Sequence, residues 1–493
     1  MKILLTSPEY PDTYWSFKHA LKFINKKASN PPLGLLTVAS MLPESWEKKL
    51  VDLNVRELHD RDILWADYVF IGAMSIQSAS VHQIIKKCQK NGARIVAGGP
   101  LFTGNPEKYT HVDHMILNEA EITLPMFLND LQTHRPRRIY RTSNFADIKQ
   151  TPPPDYSLID AKEYAQLSLQ YSRGCPFNCE FCEITTLLGR KFRTKSTWQI
   201  LNELQNIYLT GFRGNVFFVD DNFIGNRKRL KTDLLPAVIN WNEKHSFPFT
   251  FTTEASINLA DDPELMDQMV RAGFVKVFVG IESPDEASLQ ECNKHLNSER
   301  NMMECVNRMQ SAGLEVTAGF IVGFDNDTPQ IFQRQIDFIQ KSGIITAMVG
   351  LLNAPSNTRL YKRLLKEGRI TKKSSGDNTD YSLNFIPKMD KELLLNGYQN
   401  IVSSIYSSKA YYERVVRFLK LYEPRLRERT SLTFDKIMAL IRSIILLGVL
   451  SKNRIYYWKL FFWSLFRRPK LFPLAITYSI YGYHFQKVFN DIP

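Results

Sequence analysis

Two stretches of this chain alternate short apolar runs with helix-patterned segments, and that alternation constrains the fold most. In residues 1–150 the apolar runs fall at 2–6, 49–53, 68–72, 94–98 and 114–117, with helical patterns at 33–42, 81–91 and 124–131. Near-continuous apolar strands separated by helices predict a parallel sheet covered on both faces. A second series, in a segment set at 160–360, has runs at 167–171, 215–219, 249–252, 275–279, 315–322 and 346–351. Helical stretches between them include 196–210, 263–273 and 329–343. There Pro263 and Pro329 suit a first helical turn, and Gly273 and Gly343 suit the ends. Six such units predict an open (β/α)6 barrel. Three successive prolines, Pro152 to Pro154, lie in the linker between the two series; they cannot continue a helix and favour an extended spacer. Residues 361–493 read as a mostly helical third region. The fold class is therefore α/β with a helical extension.

The cysteines add chemistry to this frame. Of six, three lie in Tyr171-Ser-Arg-Gly-Cys175-Pro-Phe-Asn-Cys179-Glu-Phe-Cys182, directly after the first barrel strand; Cys88, Cys292 and Cys305 are scattered and read as buried thiols. Three thiolates can hold three irons of a [4Fe–4S] cluster and leave the fourth open. A structural zinc site would want four ligands. No second cysteine pair exists, and the nearest histidines in sequence, His134 and His245, are far away. This usage fits a reducing compartment rather than a disulfide framework. The opening Met1-Lys-Ile-Leu-Leu-Thr6 reads as a strand, not a signal peptide. The expected location is the cytoplasm.

Polar residues gather at the ends of the barrel strands: Asp220, Asp221 and Asn222; Glu254; Glu282 and Ser283; Gly323 with Asp325 and Asp327. One acidic strand end is ordinary, since Asp and Ser cap helices. Four around one mouth favour a shared site, because βα barrels place their chemistry at the carboxyl ends of strands. In the first series the corresponding loops carry Ser75 and Gln77, Gly98 and Gly99, and Glu119 and Glu121. From the residues alone, a tight turn explains Gly98-Gly99 as well as a ligand does. The basic stretch 189–195 reads as a solvated loop or as a contact for an anionic group. The aromatic segment 8–18 reads as a packed loop or as one wall of a site.

Net charge is +13, and residues 401–493 alone hold 16 basic against 5 acidic residues. Such asymmetry points to an anionic surface. The apolar run 437–450 is interrupted by Arg442 and is too short to span a bilayer, which needs about 20 residues. The aromatic and basic segment 454–470 fits a helix lying in a membrane interface, at the inner face of the membrane, or a lid on the barrel. No nucleic-acid recognition motif is visible, and no nucleic-acid partner is expected.

The cysteine loop resembles the signature of radical S-adenosylmethionine (SAM) enzymes. The arrangement before it resembles the Rossmann-like domain of the cobalamin-dependent branch. The segments 8–22 and 31–37 and the motif Gly482-Tyr-His-Phe485 are similar to the group containing the hopanoid 2-methylase. This resemblance implies three cofactors: a [4Fe–4S] cluster on Cys175, Cys179 and Cys182, SAM and cobalamin. It implies that Phe181 packs near the SAM adenine. It assigns Asp220, Asp221, Asn222, Glu254, Glu282, Ser283 and Gly323 to SAM, and Ser75, Gln77, Gly98, Gly99, Glu119 and Glu121 to cobalamin. The usual axial-histidine position holds Asn54, a departure that fits members binding cobalamin without a protein histidine. The implied reaction is C-methylation of a lipid-like (hopanoid or terpenoid) substrate through a 5′-deoxyadenosyl radical and methylcobalamin, with flavodoxin or ferredoxin as electron donor. A rearrangement or cyclisation enzyme of the same family, and a non-catalytic cobalamin or redox sensor at the membrane, remain open alternatives.

Overall fold

The computed structural model describes residues 1–377, 379–424 and 434–490. The first sheet holds β1 (Lys2–Ser7), β2 (Glu47–Asp52), β3 (Tyr68–Gly72), β4 (Arg94–Gly98), β5 (His114–Ile116) and β6 (Ile139–Tyr140), all parallel, in the order β2-β1-β3-β4-β5-β6. Four of the five β3 residues, Tyr-Val-Phe-Ile, are buried. Both faces of β3 are covered, so it reads as a continuous apolar run rather than an alternating one. The strand order changes direction between β1 and β3. In such sheets the crevice at that switch, beyond the carboxyl ends, takes ligands.

The second sheet holds β7 (Gln166–Leu169), β10 (Gly214–Phe218), β11 (Phe249–Glu254), β12 (Phe274–Glu282), β13 (Glu315–Val322) and β14 (Ala347–Leu351), parallel and in sequential order. Among the described residues β7 and β14 do not pair, so the barrel is open on that side. A two-stranded antiparallel ribbon, β8 (Ser172–Arg173) with β9 (Arg193–Thr194), stands over β7. Phe320 on β13 packs against Phe338 of the flanking helix Gln330–Ser342, at 6.0 Å between ring centres. Strand side chains alternate, so Gly319 and Ile321 face the barrel interior. A Cβ on Gly319 would lie 3.0 Å from Phe278 and 3.5 Å from Met348, which puts both on that inner face.

The C-terminal region is helical: Lys391–Tyr406, Ser408–Leu421, Phe434–Ser443, Arg454–Arg467 and Phe472–Asn490. The apolar run 437–450 continues the Phe434–Ser443 helix as a π-helical turn, Ile444–Val449. Among the described residues no helix is long and apolar enough to cross a membrane. The last helix locks onto the loop after β1. Tyr14 stacks on Phe485 at 4.5 Å, and its hydroxyl lies 2.9 Å from that of Tyr406. The first sheet is also tied to the barrel segment: Tyr164 donates to Asp52 at 3.0 Å, and Ser168 to Asn30 at 3.0 Å.

Candidate active site at the barrel mouth

The cysteine loop is built to be rigid at its ends. Its start is held by Asp220, which follows β10. This buried carboxylate accepts from the Tyr171 amide at 3.1 Å and from both the amide and the hydroxyl of Ser172. Burial pushes the Asp220 pKa to about 7, although three hydrogen bonds oppose it. The Cys175 amide donates to the Gly189 carbonyl at 3.2 Å. Past the second cysteine, Glu180 pairs with Arg363 at 2.9 and 3.1 Å, and Arg363 reaches Asp325 at 2.9 Å. Phe181 meets Phe324 edge-on at 6.4 Å.

The three loop cysteines are free and half-buried. Burial raises each thiol, Cys182 to about 12, and the Lys294 ammonium pulls all three back. Such thiols hold their protons at neutral pH, and a cation that displaces those protons gains three anionic sulfur ligands. Lys294 was not evident from sequence, where it is one lysine in a polar stretch. It sits 2.9 Å from Glu282. Burial lowers the Lys294 pKa, but Glu282 and the thiols of Cys179 and Cys182 raise it by more, so the cation persists. Glu282 is aimed by an irregular strand end. The β12–β13 register shifts between Gly280 and Glu282, and Glu282 takes φ +65°. A Cβ on Gly280 would lie 2.3 Å from the Glu282 carboxylate, so only glycine leaves room for the pair.

Negative charge exceeds positive charge in this mouth. Burial, then Asp221, Asp220 and Glu282, push Glu254 to about 8; burial pushes Asp221 to about 6. Asp221 Oδ2 is buried without a hydrogen-bond partner. One orphaned carboxylate oxygen and a second raised carboxyl, with Lys294 already paired, fit a ligand that brings a cation and hydrogen-bond donors. The other predicted SAM residues are placed as supports. Asn222 accepts from the amide and hydroxyl of Ser256, both at 3.2 Å; Ser283 is buried and accepts from the Asp285 amide at 3.1 Å; the Gly323 amide donates to Asp327 at 2.8 Å.

The first sheet presents its carboxyl ends to this loop. Glu119 and Glu121 reach Arg173 at 3.2 and 2.8 Å, and Glu119 also meets Arg193 at 2.9 Å. Their carboxylates are thus engaged by the β8–β9 ribbon, and the four side chains join the two sheets through nearly buried ion pairs. This corrects the solvated-loop reading of 189–195 for Arg193 and Lys195, whereas Arg190 and Lys191 are exposed. Arg193 is 11% exposed, and Lys195, at 4%, is paired with Glu203. Gln77 is buried, with its amide on the Pro8 carbonyl and its oxygen 2.9 Å from the Met74 amide. Ser75 lies under Gly376 of the C-terminal region, whose added Cβ would fall 2.8 Å from it. A Cβ on Gly98 would lie 2.9 Å from the Ile116 carbonyl. Gly99 has φ +98°, and its Cβ would lie 2.7 Å from the Ala73 carbonyl. The glycine pair keeps the strand ends close. Asn54 accepts from the Tyr10 amide at 2.8 Å and donates to the Pro8 carbonyl at 3.2 Å. It is a fastener of the loop after β1, and no histidine stands there.

Comparison with known proteins places this geometry. The radical SAM superfamily matches residues 169–339, and a domain of unknown function, DUF4070, matches 358–492. An uncharacterized methyltransferase of Synechocystis sp. is 40% identical across 98% of this chain and 91% of its own length. The hopanoid C-2 methylase of Rhodopseudomonas palustris is 33% identical across 93% and 88%. Two solved folds are similar over most of the chain. The cobalamin-dependent radical enzyme OxsB, with aqua-cobalamin and SAM bound, has a TM-score of 0.65 at 15% identity over 99% of this chain and 80% of that one. The methyltransferase TsrM of Kitasatospora setae, with cobalamin and a [4Fe–4S] cluster bound, has 0.60 at 13% over 92% and 98%. With relatives above 30% identity across nearly its whole length, the chain belongs to the radical SAM methyltransferases, in the family that includes the hopanoid C-2 methylase.

Proposed function

We propose that the protein C-methylates a lipid-like, hopanoid-class molecule at an unactivated carbon. The observation that carries this reading is an apolar wall on the barrel's inner face. Phe278, Ile321 and Met348 line it, and Trp15 reaches Phe278 and Met348 from the first domain. The Trp15 indole is 3.0 Å from the Met348 sulfur, and its ring is 5.5 Å from that of Phe278. Such a wall offers little to a charged peptide and much to a hydrocarbon skeleton. The 33% identity to a hopanoid C-2 methylase supports the same class.

When bound, the cluster, SAM and cobalamin supply the radical and the methyl group. The chain's part is to bind, orient and keep water out. Cys175, Cys179 and Cys182 hold the cluster. Asp220 acts on them indirectly, by fixing the loop start. Asp221 and Glu254 grip the SAM amine and ribose, with Glu282 and Lys294 as a paired support that also offers a cation to the SAM carboxylate. Phe181 stands beside the adenine. Residues 1–150 hold cobalamin over the crevice between β1 and β3, with Ser75, Gly98 and Gly99 shaping its rim. The barrel spans 160–360, and 361–493 forms the lid.

The substrate would arrive from a membrane. Phe434–Ser443, its π-helical extension and Arg454–Arg467 leave Ile441, Val449, Leu450, Ile455 and Phe466 exposed, Phe466 by 76%. Lys452, Arg454, Lys459 and Arg467 lie in the same segment. This is an interfacial face, apolar with a cationic fringe.

Lipid extracts of cells with and without the protein test the reading: a species heavier by one methyl group should disappear with the gene. Anaerobic assays of reconstituted protein on that lipid should yield 5′-deoxyadenosine and S-adenosylhomocysteine together. 5′-Deoxyadenosine alone would mean a rearrangement, neither product would mean a sensor, and a methylated tetrapyrrole would move the substrate out of the lipid class.

A further inference from the structure

Asp12, His19 and His484 converge where the loop after β1 meets the last helix, away from the cysteine loop. One donor atom from each lies within 4.8 Å of the others. His19 Nε2 is 2.7 Å from Asp12 Oδ2. An ordinary ion pair would explain those two residues and leave the third unexplained. His484 is fully buried, and its Nε2 is 3.0 Å from the Tyr14 carbonyl. A carbonyl only accepts, so Nε2 carries the proton and Nδ1 is a bare lone pair. That Nδ1 is buried and has no hydrogen-bond partner.

We propose that Asp12, His19 and His484 Nδ1 form a three-ligand site for a divalent metal ion of the zinc class. Two imidazoles and a carboxylate are a donor set zinc accepts, with a water in the fourth position. Tetrahedral bonds of about 2.0–2.2 Å place donors about 3.3 Å apart, so the His19–Asp12 contact must open by about half an ångström. Their side chains are 25% and 43% exposed and have room to move. The Tyr14 carbonyl is the second partner that fixes the His484 ring, as metal-bound histidines require. The role is positional. Asp12 and His19 bracket Tyr14 and Trp15, and Trp15 reaches Phe278 and Met348 in the barrel. The ion would pin that segment to the last helix and so set one wall of the substrate space.

Elemental analysis of the full-length, cluster-loaded protein tests this independently of any methylation. About one zinc per chain is expected beside the cluster iron, in the wild type and in a variant with Cys175, Cys179 and Cys182 replaced by serine, which removes thiolates as a source of bound zinc. His484→Gln should lose the zinc and keep the iron. In case that buried change impairs folding, the partly exposed double variant Asp12→Asn/His19→Gln should also lose it. Added zinc should raise the melting temperature of the wild type and leave the double variant unmoved. Zinc below about a tenth per chain, even after incubation with equimolar zinc, or zinc content unchanged in the double variant, overturns the proposal.

Discussion

Glu254 is the carboxyl whose protonation should report the arrival of a cationic ligand. Burial and then three neighbouring carboxylates raise it to about 8, with Lys294 opposing. At pH 7 such a group is about nine-tenths protonated. An amine or sulfonium in the mouth favours the charged form, so binding should expel close to one proton. Apparent affinity for a non-cleavable SAM analogue should then climb by almost tenfold per pH unit between about pH 6 and 8, and level off above. Glu254→Gln keeps the size and removes the titration. Its affinity should be nearly flat with pH, and at pH 8.5 weaker than wild type by about tenfold, or about 1.4 kcal/mol. Anaerobic titration calorimetry of cluster-loaded protein, run in two buffers of different ionisation enthalpy, counts the proton directly. The same group acts on the fold. Its native pKa lies above the unfolded value of 4.5, so the penalty for burying its charge is absent near pH 4 and grows as pH rises towards 8. The ligand-free protein should lose stability across that window, and Glu254→Gln should lose less. A wild-type affinity that ignores pH, or an unchanged slope in Glu254→Gln, refutes the reasoning.

Three other perturbations follow from the same geometry. Glu119→Ala strands the nearly buried Arg193, while Arg173 keeps Glu121, and should cost about 3–5 kcal/mol in denaturant unfolding, whereas Glu119→Leu/Arg193→Leu should recover part of it. Gly99→Ala forces a side chain into φ +98° and onto the Ala73 carbonyl; it should cost about 1–3 kcal/mol and release cobalamin, read as the cobalamin-to-protein ratio after gel filtration. Val449→Glu/Phe466→Glu should cut retention on anionic vesicles about tenfold while the melting temperature stays put, because both side chains are mostly exposed.

The two sheets were legible chiefly through strands that are buried on both faces and so print continuous apolar runs, such as Tyr68–Gly72 and Glu315–Val322. The glycines closing the barrel helices were legible for a local reason as well: Gly273 and Gly343 take φ +116° and +71°. What stayed hidden is what depends on distant partners. Strand β6 has two residues at a sheet edge, too short to carry a pattern. The β8–β9 ribbon is polar, and its burial comes from Glu119 and Glu121, more than 50 residues earlier. A charged side chain looks solvated until its counter-ion is known, and Arg193, Lys195 and Lys294 all pair inside the protein. The same blindness affected the candidate site. The spacing of Cys175, Cys179 and Cys182 announces itself because all three ligands share one loop. Asp12, His19 and His484 could be gathered only by the fold, since 465 positions separate the last two. A carboxylate at a strand end can likewise be nominated from sequence, yet only the surroundings separate a support from a ligand. Asp220 spends its oxygens on Tyr171 and Ser172, while Asp221, the next residue, keeps one buried and unclaimed. That difference between adjacent aspartates makes Asp220 a support of the cysteine loop and leaves Asp221 the one with an oxygen free for a ligand.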